Sequence, residues 1–238
     1  MCEKNAVLPA EHHAEGPTKH RIEIPKHRFE IPGLHRIQPP EQEMACRMMI
    51  RAFRKYPKLM GCFPEESSRL AAIEAVVRYY AAYDFHFGAG FSLDDGIHEC
   101  VALMHSEDVD FEDEALIRAA DCENEAWQAA MNRLTPAQQD AWHGFFEELD
   151  REEAKLDLPD RYLYLDFVAV EPEYQHQGRG RRLLQQVINW SRDQDLPIML
   201  FTNGEYDIGF YQSLGFEIAG VTRSDTYHFE NTYVTFGA

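Results

Sequence analysis

The stretch from Tyr162 to Asp195 constrains this chain more than any other. It begins Tyr-Leu-Tyr-Leu-Asp-Phe-Val-Ala-Val, an apolar run broken only by Asp166. That run reads as a strand over residues 161–170. Pro172 and the turn Gln175-His176-Gln177-Gly178-Arg179-Gly180 follow. A helix is expected from Gly180 to Asp195, with Leu183, Leu184, Val187 and Ile188 inward. The two glycines lack Cβ atoms, so backbone N–H groups at the turn can approach a ligand closely. The helix start adds the positive end of its dipole, which suits a phosphate. Arg179, Arg181 and Arg182 add positive charge. The spacing matches neither G-x-G-x-x-G nor a Walker loop. Taken alone, the turn leaves two readings open: an anion cradle, or a glycine-rich helix start.

The flanking sequence supplies the other layers. Residues 1–34 read as an N-terminal extension, and 35–238 as one domain. Three near-repeats, His20–Pro25, His27–Pro32 and His35–Pro40, alternate apolar and polar residues before proline, which suggests short extended pieces and an edge strand. Their histidines lack the acids or cysteines of a metal site, and no metal is expected. Helices are expected over 41–56 and 67–83. Strands are expected over 85–91 and 97–104, joined by Asp94-Asp95-Gly96. Residues 105–160 form an acidic, mostly helical insert, with a capping-box start at Thr135-Pro136. Trp127, Trp142 and Phe145 read as core. After the 161–170 strand come the 180–195 helix, a strand over 197–202, a short helix over 206–213 ended by Gly215, and strands over 217–221 and 227–236. The sum is an α/β (α+β) domain with one core.

Charge narrows the partners. The 238 residues carry a formal net charge of −18. Between Val101 and Asp160 there are 17 acidic against 4 basic residues. Nucleic acid and anionic membranes are therefore poor partners. That insert is either a lid that attracts a cationic amine or the solvated face of helices. No apolar run reaches the ~18 residues of a membrane span, and Met1–Leu8 lacks the apolar core of a secretory signal. The five cysteines are widely spaced, without C-x-x-C, as expected in a reducing, cytoplasmic setting.

Several motifs together resemble the GNAT N-acetyltransferase superfamily. They are Val168-Ala169-Val170, Glu171-Pro172-Glu173-Tyr174, the Q-x-x-G-x-G of Gln175–Gly180, and Asp207-Ile208-Gly209-Phe210-Tyr211-Gln212-Ser213-Leu214-Gly215-Phe216. The layout before them, with Ala52-Phe53, Tyr56-Pro57 and the long insert, is similar to puromycin-type acetyltransferases. The resemblance implies a mixed, mostly antiparallel sheet flanked by helices, and acetyl-CoA as cosubstrate. It implies that backbone groups of Val168, Ala169 and Val170 pair with the pantetheine arm. Backbone N–H groups of Gln175, His176, Gln177, Gly178, Arg179, Gly180 and Arg181 would hold the pyrophosphate. Tyr211 matches the family's tyrosine beside the acetyl sulfur, where a phenol can protonate the departing thiolate. Its other reading is a wall aromatic beside Tyr206 and Phe210. Asp207 stands where the family often has a cofactor-touching asparagine, and a carboxylate there needs compensation.

An amine acceptor must lose a proton, and Asp166 is the candidate base or amine anchor. Strict alternation would put it on one face with Tyr164, Val168 and Val170. Its alternative is an acid paired with a neighbouring side chain. Glu99 is a weaker candidate base. The expected activity is acetyl transfer to a primary amine of a small cationic molecule, by direct attack. The alternatives are a non-catalytic coenzyme A-binding or interaction module, and acetylation of a protein or peptide. A homodimer paired through the 21–40 arm is a further expectation.

Overall fold

The computed structural model describes residues 29–56, 65–93, 99–106, 132, 134–159, 161–227 and 229–237. The repeats before Phe29, the Asp94–Gly96 turn, Trp127 and the side chain of Trp142 lie outside them. Seven strands form one sheet in the order β1-β2-β3-β4-β5-β7-β6. They are β1 (Leu34–Arg36), β2 (Ala89–Leu93), β3 (Cys100–Ser106), β4 (Leu163–Val170), β5 (Ile198–Thr202), β6 (Glu217–Ser224) and β7 (Phe229–Phe236). Every pairing is antiparallel except β4 with β5.

The helices are α1 (Gln42–Ala52), α2 (Glu66–Phe87), α3 (Pro136–Glu153), α4 (Arg179–Asp193) and α5 (Glu205–Gln212). Two cores lie on opposite faces of the sheet. On one face, Leu183, Leu184, Val187 and Ile188 of α4 pack on Cys100, Ala102, Met104, Leu163 and Leu165. Side chains of that size contribute roughly 1.5–3 kcal/mol each when fully buried. On the other face, Met48 and Met49 of α1 and Ile73 and Val77 of α2 cover Val101, Leu103, Phe167 and Ala169. Ile31 is in the first core and Phe29 stacks on Trp190, so the packed core begins upstream of residue 35.

Two strand expectations need correction. Residues 85–87 continue α2 rather than start a strand. The helix closes at Gly88, whose N–H bonds to the Asp84 carbonyl. A Cβ at Gly88 would collide with the backbone of Met104, so only glycine fits at this turn. The second strand of the hairpin is Cys100–Ser106, shifted from 97–104.

The third correction concerns β4. Leu103 pairs with Phe167 and Met104 with Leu165, so Asp166 is an extra residue opposite one step of β3. It is a β-bulge, which interrupts the alternation of faces. Before it, Leu163 and Leu165 face α4; after it, Val168 and Val170 face α4 while Phe167 and Ala169 face α1 and α2. Asp166 therefore does not share a face with Val168 and Val170.

Candidate functional site

β4 and β5 run side by side only at Leu163–Ile198 and Tyr164–Met199. Beyond Tyr164 they part. β5 stays paired with β7 through Thr202, while β4 goes on to Val170 beside β3 alone. Among the described residues, the edge of β4 that faces β5 has no ladder partner over 165–170, and backbone polar groups there need one.

The turn after β4 carries two left-handed residues, His176 (φ 61) and Gly178 (φ 81). Gly178 is the N-cap of α4 and no side chain caps that helix start. The first-turn N–H groups point out of the helix start, as at any helix N-terminus. Gly180 has a different function. A Cβ there would lie 3.3 Å from Val170 and 3.7 Å from Phe210, so its absence lets α4 start close to the end of β4 and to α5.

The side chains around the turn mostly brace it. Gln175 donates to the Val170 carbonyl (3.1 Å), and Gln177 to the Glu173 carbonyl (2.8 Å). His176 Nδ1 meets the Tyr206 hydroxyl at 3.0 Å. Arg179 pairs with Glu99 at 2.9 Å, and Arg181 donates to the Ser213 hydroxyl at 2.5 Å. Glu99 is thereby occupied by an arginine. Arg51 grips Glu171 through two nitrogens (2.9 and 2.6 Å), beside a depression of about 610 Å³ lined by Arg51, Arg54, Glu171, Pro172 and Glu173.

Tyr211 is buried in α5, with its ring edge-on to Phe210 and Phe216. Burial pushes its phenol well above the ordinary value, and the nearby Asp207 charge and Tyr56 push the same way. Burial likewise raises the Asp207 carboxyl, which acts on both Tyr56 and Tyr211 and so sits with them. A raised carboxyl is more readily neutral, which lessens the conflict with an anionic ligand.

Two groups of residues escaped the sequence reading. Tyr56 donates to Asn203 Oδ1 at 2.5 Å, and Asn203 donates to Asn231 Oδ1 at 2.7 Å. With Phe53 packed on Phe167 and on Tyr56, this contact links β4 to the end of β5 across the gap. The second group surrounds Asp166. His105 Nδ1 donates to Asp84 Oδ1 at 2.9 Å and makes an ion pair with Asp166 Oδ2 at 3.0 Å. The three donor atoms lie within 4.8 Å of one another. One nitrogen lies close to both carboxylates, hydrogen-bonded to Asp84 and ion-paired with Asp166. The signal for Asp84 was an acid inside an aromatic stretch, Tyr79-Tyr80-Ala81-Ala82-Tyr83-Asp84-Phe85, which calls for a partner.

Residues 143–218 match the family described as "Acetyltransferase (GNAT) domain". Over that segment, about a third of the chain, the sequence is similar to the GNAT family. Solved GNAT structures share the fold at low identity. Arylalkylamine N-acetyltransferase 2 from Aedes aegypti superposes with a TM-score of 0.54 at 13% identity, over 85% of this chain and 97% of that one. A protein described as histone acetyltransferase HPA2 and related acetyltransferase, from Corynebacterium glutamicum, gives 0.51 at 17% identity, over 87% and 96%. N-alpha-acetyltransferase RimI of Mycobacterium tuberculosis (strain ATCC 25618 / H37Rv) is 32% identical over 56 residues. That match spans 24% of this chain and 35% of RimI, about a third of the curated relative's length. No described helix is long and apolar enough to cross a membrane.

Proposed function

We propose that this protein transfers acetyl from acetyl-CoA to a primary amine of a small cationic molecule, by direct attack without a covalent enzyme intermediate. The parting of β4 from β5 next to the uncapped start of α4 carries the reading. The gap offers an unpaired strand edge to an extended amide-bearing arm, and the helix start offers N–H groups to an anion. Coenzyme A combines those two chemistries. In this reading Val168, Ala169 and Val170 pair with the pantetheine arm. The N–H groups from Gln175 to Arg181 hold the pyrophosphate, and Asp207 lies by the thioester end. Gly180 brings Val170 and Phe210 together, which sets the α5 wall beside the end of β4.

The proposed chemistry follows from proton demand. The acceptor amine loses a proton to Asp166 and its lone pair attacks the acetyl carbon. The carbon–sulfur bond breaks, and Tyr211 protonates the leaving thiolate. A phenol raised by burial holds its proton until a strong base such as a thiolate forms beside it. The match to RimI favours a second reading, in which the acceptor is a peptide N-terminus. Incubation with acetyl-CoA and a panel of small amines and short peptides, followed by titration of free thiol, tests both. Release with small amines is expected. Release with peptides alone would transfer the assignment to the second reading, and no release would leave a coenzyme A-binding module.

A further inference from the structure

The cluster of Asp84, His105 and Asp166 holds more carboxylate than one ion pair requires. Asp84 is wholly buried, and its Oδ2 has no hydrogen-bond partner among the described residues. Its Oδ1 takes the His105 Nδ1–H, and the same nitrogen lies 3.0 Å from Asp166. With both acids ionised and the imidazole protonated, the cluster carries one negative charge out of water. A buried charge of that kind takes up a proton or a cation. Asp166 is the bulge residue, next to the point where β4 leaves β5, and its side chain is 12% exposed against 0% for Asp84.

We propose that Asp84 and His105 are positioning residues for acetyl transfer: the Asp84–Asp166 carboxyl pair, held by the His105 imidazolium, stores the proton that a basic alkylamine sheds before it attacks. This inference rests on the acetyl-transfer reading and narrows its acceptor to amines that arrive protonated.

The electrostatics agree with the geometry. Burial pushes Asp84 well above its ordinary value, and the Asp166 charge adds to this against the hold of His105. Burial disfavours a charged His105, yet Asp166 and Asp84 outweigh it and push the ring up to about 10. His105 therefore stays a cation near neutral pH and Asp84 is the group that takes the proton. The other titratable groups around the cluster are Tyr80 of α2, Tyr164 of β4 and Tyr233 of β7, with Asp150 and Glu153 of α3 acting on Tyr80. Burial keeps the three phenols protonated.

The step balances. The ammonium proton passes to Asp166 and on to Asp84, and the freed lone pair forms the carbon–nitrogen bond. The carbon–sulfur bond breaks and the sulfur takes the Tyr211 proton. The second nitrogen proton restores the phenol through water, and the stored proton leaves with product, so one proton is released per turnover.

The test pairs two acceptors. Propylamine is protonated at pH 7, whereas 2,2,2-trifluoroethylamine is mostly neutral. In thiol-release assays, Asp84→Asn is expected to lower turnover about a hundredfold with propylamine and less than about threefold with trifluoroethylamine. His105→Gln, which removes the cation, is expected to move the rise of kcat/KM with pH to higher pH. Equal losses with the two amines would overturn the inference and leave the cluster a structural tie. Absence of thiol release from the unaltered protein with either amine would sink the small-amine reading itself. Carbon-13 titration of the Asp84 carboxyl in the unaltered chain is independent of turnover. Proton uptake well above pH ~4 is expected, and an Asp84 ionised down to that pH overturns the proton store. A divalent metal retained at one per chain after purification would also overturn it, by making the three side chains a metal centre.

Discussion

Tyr211 and Gly178 illustrate two ways in which a single residue acts at the proposed site. Tyr211 offers one proton in a buried place, so Tyr211→Phe keeps the shape and removes the donor. Turnover is expected to fall about a hundredfold with coenzyme A affinity unchanged, read by thiol release and calorimetry. Equal turnover would return Tyr211 to a wall aromatic. Gly178 contributes a backbone conformation, since a Cβ there would meet no other atom within 4 Å. At φ +81 a β-branched side chain is strained, at a cost of order 1–3 kcal/mol. Gly178→Val is therefore expected to lower Tm and to weaken coenzyme A binding by re-aiming the first-turn N–H groups. Gly178→Asn, which tolerates the left-handed region, is expected to retain more of both.

Among the elements, the bulge in β4 organises the site. It turns Asp166 toward His105 and Asp84, and leaves Val168 and Val170 on the α4 face. Removing the imidazole by His105→Ala leaves two buried acids without their cation, and a destabilisation of about 3–5 kcal/mol is expected in urea unfolding. The pH dependence has a definite sign. The folded value of His105 is about 10, above its ordinary 6.5. Its contribution is full below about pH 6.5 and is lost as pH rises toward 10. A stability curve flat over that interval would contradict it. Much of this region was legible in the sequence, because the strand, the glycine turn and the α4 stripe are local patterns. The bulge was not, since a period of two has no way to announce an extra residue. The end of α2 was misread because Phe85, His86 and Phe87 suit a strand. Their helix continues to Gly88, where tertiary crowding against Met104 turns the chain. His105 was missed for the same kind of reason: its partners come from α2 and β4, a relation that spacing does not encode.

For the whole molecule, the sheet separates the two larger cores among the described residues, and the α4 core carries Val168 and Val170 of β4 beside the gap. Leu184 is fully buried there, and Leu184→Ala is expected to cost 2–5 kcal/mol, read as a lower urea midpoint with an unchanged m-value. The likeness to GNAT proteins and the sheet type followed from the motif block, while the insert's acidic charge left the acceptor open. Strand order adds a consequence in time. β7 lies between β5 and β6, although β6 is made first. As the chain emerges from the ribosome, β5 and β6 have no ladder between them until residues 229–236 are out. The β1–β4 side can assemble early, but the wall of the gap formed by β5 can be fixed only when the last strand slots in. Any coenzyme A bound in that gap during synthesis would have to wait for β7.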